Sequence, residues 1–176
     1  ESARLAPFKH LGTDVDVVLD LMIHDIDLIL SIVRSPVVAV DAIGSSVFSK
    51  EIDIANARLR FANGCVANAT ASRVSLKTER KLRLFQDDAY ISVDLQQKVL
   101  TVIRKGLGLG ADGVPQVAIE ETSYEQGDAL KDEIAAFLEA VATGSAPPVS
   151  GEDGLLALHT AVSIAEQVAN SRRQFS

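Results

Sequence analysis

Long apolar runs, paired cysteines and an excess of basic residues are all missing from this 176-residue chain, and each absence removes a class of function. No apolar stretch reaches the 18 or so residues that a membrane span needs. The most apolar segment, 17–33, is broken by Asp20, His24, Asp25 and Asp27. A lone cysteine, Cys65, excludes an internal disulfide and suits a cytoplasmic setting. His10, His24 and His159 are far apart and no Cys/His run has zinc spacing, so no metal is expected. With 24 acidic against 17 basic residues and a net charge of −7, the chain lacks the basic face of a nucleic-acid binder. Neither nucleic acid nor membrane is an expected partner.

What is present is a core. Apolar residues make up 47% of the chain, enough for one domain over residues 1–176. The sequence opens at Glu1 without an initiator Met, inside what reads as a structured segment, so a piece of a longer protein is expected. The pattern predicts a helix over 14–34 and strands over 37–48, 53–62, 65–74, 81–86, 89–95, 98–105 and 115–121. Asn63-Gly64 is a strong hairpin signal. Two helices close the chain, 129–143 behind the cap Asp128 and 152–172 behind the pair Ser150 and Asp153. This order predicts an α+β fold: a largely antiparallel, mixed sheet with helices packed on one face. The alanines at 55, 57, 67, 69 and 71 suggest a flat outer sheet face open to a second copy of the chain.

The first helix carries the chemistry. On a helical wheel Asp16, Asp20, His24, Asp27, Ser31 and Arg34 fall on one narrow line, and almost everything else is apolar. A solvated face would be wider and would carry Lys or Glu. An imidazole can take or give a proton near neutral pH, and a carboxylate one turn away can orient it. The spacing of Asp20 and His24 leaves two readings open, a pocket wall or a structural pair that hydrogen-bonds internally. Asp25 falls off the line among apolar neighbours and needs a cationic partner, for which Arg58 and Arg73 are candidates.

Other motifs read as structure. "GLGADG" at 108–113 matches the dinucleotide-binding G-x-G-x-x-G, but that fingerprint must open a helix whose N-terminus holds the pyrophosphate. Here Pro115 and a strand pattern follow, so a hairpin tip is expected. Cys65 reads as an ordinary thiol and His159 as a packing histidine. The basic stretch 72–81 reads as a solvated loop.

Taken in order, "VLDLMIHDIDLIL", "DIANARLRFANGCVANATASR" and "PPVSGEDGLLAL" resemble the C-terminal domain of the Gfo/Idh/MocA oxidoreductases, the relatives of glucose–fructose oxidoreductase and inositol dehydrogenase. The resemblance covers essentially the whole chain. It implies a fold like the C-terminal domain of glyceraldehyde-3-phosphate dehydrogenase, and an N-terminal Rossmann domain, absent here, that binds NAD or NADP and supplies a lysine. It implies a sugar, polyol or sugar-nucleotide substrate and homo-oligomers formed through the open sheet face. By the same resemblance Asp20 and His24 occupy catalytic positions, His24 as general acid/base and Asp20 orienting the substrate and His24. The family usually has glycine where this chain has Met22, which could narrow the pocket. The alternative is a non-catalytic interaction module of the same fold. A single-domain chain should unfold in denaturant in one cooperative transition; a gradual loss of structure would contradict that organisation.

Overall fold

In 54–61, "IANARLRF", every second residue is apolar, and the computed structural model shows the consequence: Ala55, Ala57, Leu59 and Phe61 are buried while Asn56, Arg58 and Arg60 are exposed. The structure describes every residue except 10, 11, 110–114, 175 and 176. Its elements are β1 (Ser2–Leu5), a π-helical turn (Val18–Met22), α1 (Ile23–Val33), β2 (Val37–Ser45), β3 (Ile54–Phe61), β4 (Val66–Ser72), β5 (Glu79–Phe85), β6 (Ala89–Asp94), β7 (Val99–Leu109), β8 (Pro115–Ser123), α2 (Ala129–Thr143) and α3 (Gly151–Gln174).

The strands form one sheet in the order β2-β3-β4-β1-β5-β6-β7-β8. Every pairing is antiparallel except β1 with β4, so the sheet is mixed, as expected. Strand β1 escapes the sequence pattern because its core-facing residues are polar. Ser2 is 5% exposed, and Arg4 reaches the helix layer, where Asp25 neutralises it. The glycine run does not open a helix. Pro115 begins β8, which returns antiparallel along β7, and the tip itself lies outside the described residues.

Helices α1 and α3 pack on one face. There the alanines of β2, β3 and β4 meet Met22, Ile26 and Ile29 from the first helical segment and Ala161, Ile164 and Val168 from α3. Small side chains on the sheet let the bulky helix residues approach and share one buried core. The approach is closest at Gly44. A Cβ there would lie 2.8 Å from Val168 Cγ1 and 2.9 Å from the Ile54 carbonyl.

These contacts correct one expectation. The alanines at 55, 57, 67, 69 and 71 are the helix-facing layer, none more than 6% exposed, and not an outer surface. The outer face is polar in β3 and β4, where Arg58 donates to Asn68 and Thr70 to Asn56. The predicted caps hold. Asp128 accepts from the Lys131 N–H, and Ser150 and Asp153 exchange hydrogen bonds at the start of α3. The stripe of α2, by contrast, finds no cover: Leu130, Ile134, Phe137, Leu138 and Val141 are each at least half exposed.

A buried ion pair closes the sheet near β3. Asp53 is fully buried, and its Oδ2 accepts the N–H groups of Val47, Phe48 and Ser49 at 2.7–2.9 Å. The Ser49 hydroxyl bonds Oδ1, and Arg73 Nε stands 3.6 Å from the same oxygen. Burial alone would raise this carboxyl. The hydrogen bonds from the Ser49 hydroxyl and from the three N–H groups outweigh it and hold the pKa at about 2. A pKa depressed in the folded state stabilises above the unfolded value, and the gain is lost as pH falls through the folded value. Asp53 should therefore contribute roughly 2 kcal/mol at neutral pH, fading between about pH 4 and pH 2. Asp53→Asn should cost about 3 kcal/mol at pH 7, because it leaves Arg73 buried without its counter-charge. Urea denaturation of both proteins at several pH values checks this, and curves that stay parallel from pH 7 to pH 2 would contradict it.

Candidate active site

The segment that carries Asp20 and His24 is not one regular helix. The Ile23 N–H donates to the Val18 carbonyl five residues back, so Val18–Met22 forms a π turn that runs into α1. Such turns hold one residue more than the α-helical repeat allows, and they recur at functional sites. Val17, Val18 and Met22 are all wholly buried, so this turn is anchored in the core.

The π turn breaks the expected polar line into separate environments. Asp16 serves as a cap, its Oδ1 accepting from the N–H groups of Val18 and Leu19 at 2.9 Å. Asp20 is half-buried and His24 is exposed. Ser31 bonds the Leu28 carbonyl within its own helix, and Arg34 ends α1 in the left-handed region at φ 49. Among the described residues no hydrogen bond or ion pair joins Asp20 to His24. The internally satisfied pair is thus not what the structure contains. Met22 is fully buried against the sheet, so it does not project into the space beside His24.

Asp25 has a partner that sequence reasoning did not name. Arg4 on β1 grips it with Nε on Oδ2 and Nη2 on Oδ1, both at 3.0 Å. The candidates named from sequence lie elsewhere: Arg58 is on the outer sheet face and Arg73 pairs with Asp53. This fork ties α1 to the centre of the sheet and fixes the helix immediately after His24.

Toward its C-terminal end α1 borders an open groove of ≈1260 Å³ between itself, β2 and α3, reached by Asp27, Arg34, Asp153, His159 and Gln167. His159 is therefore an exposed groove residue and not a packing histidine, and His10 lies outside the described residues. A hollow of ≈220 Å³ on the opposite sheet face, lined by Asn68, Thr70, Lys81 and Arg83, lies apart from Asp20 and His24. No cluster of potential metal ligands is present among the described residues. Among the described residues no helix is long and apolar enough to cross a membrane.

On the other side of Asp20 lies Gly12, with φ +75; a Cβ there would stand 3.5 Å from Asp20 Oδ2. The buried Arg73 holds the Gly12 carbonyl with Nη1 and the Val15 carbonyl with Nη2. Sequence reasoning missed this arrangement. The available signals were an isolated glycine ahead of the helix and an arginine ending a strand of small residues.

Comparison with known proteins places the chain. The model of the GFO/IDH/MocA C-terminal domain matches residues 10–92. UDP-N-acetylglucosamine 3-dehydrogenase from Acidithiobacillus ferrooxidans is 42% identical over 142 residues, 81% of this chain and 45% of that protein. A solved structure of an enzyme of that name from the same organism superposes with a TM-score of 0.87 at 38% identity, covering 95% of this chain and 53% of the other. Myo-inositol 2-dehydrogenase from Thermotoga maritima is 28% identical over 159 residues, 86% of this chain and 46% of that protein. The chain thus spans about half the length of the relatives it matches.

Proposed function

Because the chain belongs to the GFO/IDH/MocA family, as its C-terminal domain, we propose that it is the substrate-side half of an NAD(P)-dependent oxidoreductase acting on a sugar, polyol or sugar-nucleotide hydroxyl or carbonyl. The observation that carries this reading is His24: an exposed imidazole on a helix otherwise anchored by buried residues, with the half-buried carboxylate of Asp20 across a π turn. Among the described residues the glycine run leads from β7 into the antiparallel β8 and opens no helix that could hold a pyrophosphate. The cofactor is accordingly assigned to an N-terminal Rossmann domain outside these 176 residues, and when bound it accepts or donates the hydride.

The part left to this chain is proton transfer and orientation. Oxidation of a secondary alcohol requires loss of the hydroxyl proton; the His24 imidazole takes it, and returns it when the carbonyl is reduced. With no hydrogen bond between them, Asp20 and His24 meet on the substrate, where the Asp20 carboxylate accepts from a neighbouring hydroxyl. In the full-length enzyme His24→Ala should lower kcat roughly a hundredfold while cofactor binding stays near normal. Asp20→Asn should cost less in kcat and more in substrate KM. Steady-state kinetics with a UDP-sugar and a polyol as trial substrates decide. If His24→Ala turns over at the wild-type rate with the wild-type pH profile, the domain is a non-catalytic module of the same fold.

Self-association through the outer sheet face belongs to the same reading, on residues other than the alanines. Phe85, Tyr90, Ile103 and Ile119 form one cross-strand row over β5 to β8, and Phe85 and Ile119 are each 63% exposed. In the next row Arg83 and Glu121 stand at opposite ends. Two copies packed face to face about an axis along the strands would set Arg83 of each against Glu121 of the other. Ile119→Glu should shift sedimentation from dimer toward monomer without altering the fold. A wild-type chain that stays monomeric at high concentration would refute the association.

A further inference from the structure

The Asp20 carboxylate has no partner of its own on α1, so something else must fix where it stands. The loop ahead of the π turn runs beside it: a Cβ added at Gly12 would stand 3.5 Å from Asp20 Oδ2. Arg73 holds that loop from below. Arg73 is 4% exposed, and its guanidinium donates to the carbonyls of Gly12, Val15 and Ile52. The Ile52 carbonyl also accepts the Val17 N–H, so the same atom ties the loop's exit to β3. Asp53 supplies the counter-charge, and it is itself fixed by four donors from residues 47–49.

Resting on the functional reading above, we propose that Arg73, backed by Asp53, is a positioning residue for the Asp20/His24 site. Its fork clamps the loop that runs beside the Asp20 carboxylate, and thereby limits where that carboxylate can stand relative to the exposed imidazole. Neither Arg73 nor Asp53 is exposed enough to touch substrate. A guanidinium is suited to the task and an ammonium is not. Two carbonyls three residues apart need two divergent N–H groups from one rigid plane, which lysine cannot offer.

Kinetics on the full-length enzyme test this. Arg73→Lys keeps a cation beside Asp53 and so keeps the fold, but loses the fork. It should lower kcat at least roughly tenfold, with cofactor KM within about twofold of wild type and the folded fraction unchanged by circular dichroism. Arg73→Ala vacates the site, and millimolar guanidinium, but not tetramethylammonium, should restore part of its kcat. Should Arg73→Ala fail to fold, Arg73→Lys decides alone. In the 176-residue chain, where no turnover is needed, Arg73→Lys should shift the side-chain carboxyl 13C resonance of Asp20 and leave that of Asp94 in place. A wild-type kcat per folded molecule in Arg73→Lys, or an unmoved Asp20 resonance, would overturn the proposal. An active His24→Ala enzyme would instead overturn the functional reading, so the two failures are distinguishable.

Discussion

A buried arginine between strand and loop is the constraint on which this architecture turns. Arg73 follows β4 directly, yet its guanidinium closes onto residues 58 and 61 positions earlier in the chain. Asp53, which neutralises it, gathers the β2–β3 loop with the same carboxylate. Removing both charges from water is costly, and the cost is offset only because nearly every polar atom finds a partner. The exception is Arg73 Nε, which faces Asp53 without a hydrogen bond. Loop 12–16, loop 46–53 and the end of β4 thus meet at one buried ion pair.

A second charged contact, Arg4 to Asp25, does for the middle of β1 what Arg73 does for the end of the neighbouring β4. Between them they hold the two ends of the short stretch that contains Asp20 and His24. The π turn sits in that stretch and carries the half-buried Asp20, four residues before the exposed His24.

Much of this was legible from residue order because it is local. The hairpin at Asn63-Gly64, the caps at Asp128 and at Ser150 with Asp153, and the period-two strands each depend on neighbours within a few positions. Asp20 and His24 stood out for the same reason. What stayed hidden is non-local. Nothing in a wheel projection reveals a π turn, because one inserted residue shifts every later position. The alanine layer was assigned to the wrong side because small side chains were read as room for another molecule, when they make room for the chain's own helices. Arg73 and Arg4 could each have matched Asp25 by charge; only the path of β1 decides between them.

That path has a kinetic meaning. Strand β1 is the earliest element in the sequence and lies fourth in an eight-stranded sheet, between β4 and β5. Its neighbours are made some 65 to 80 residues later, as the registers Ser2 with Ala69 and Ser2 with Leu82 show. Until it inserts, the chain holds two separate antiparallel ribbons, each with a bare edge. Closing such distant pairs is slow, and bare edges invite mispairing with other molecules. On a ribosome the first strand must wait, extended and unpaired, for both partners to emerge, so the interval in which this chain is most vulnerable to aggregation is set by where one four-residue segment sits in the sheet.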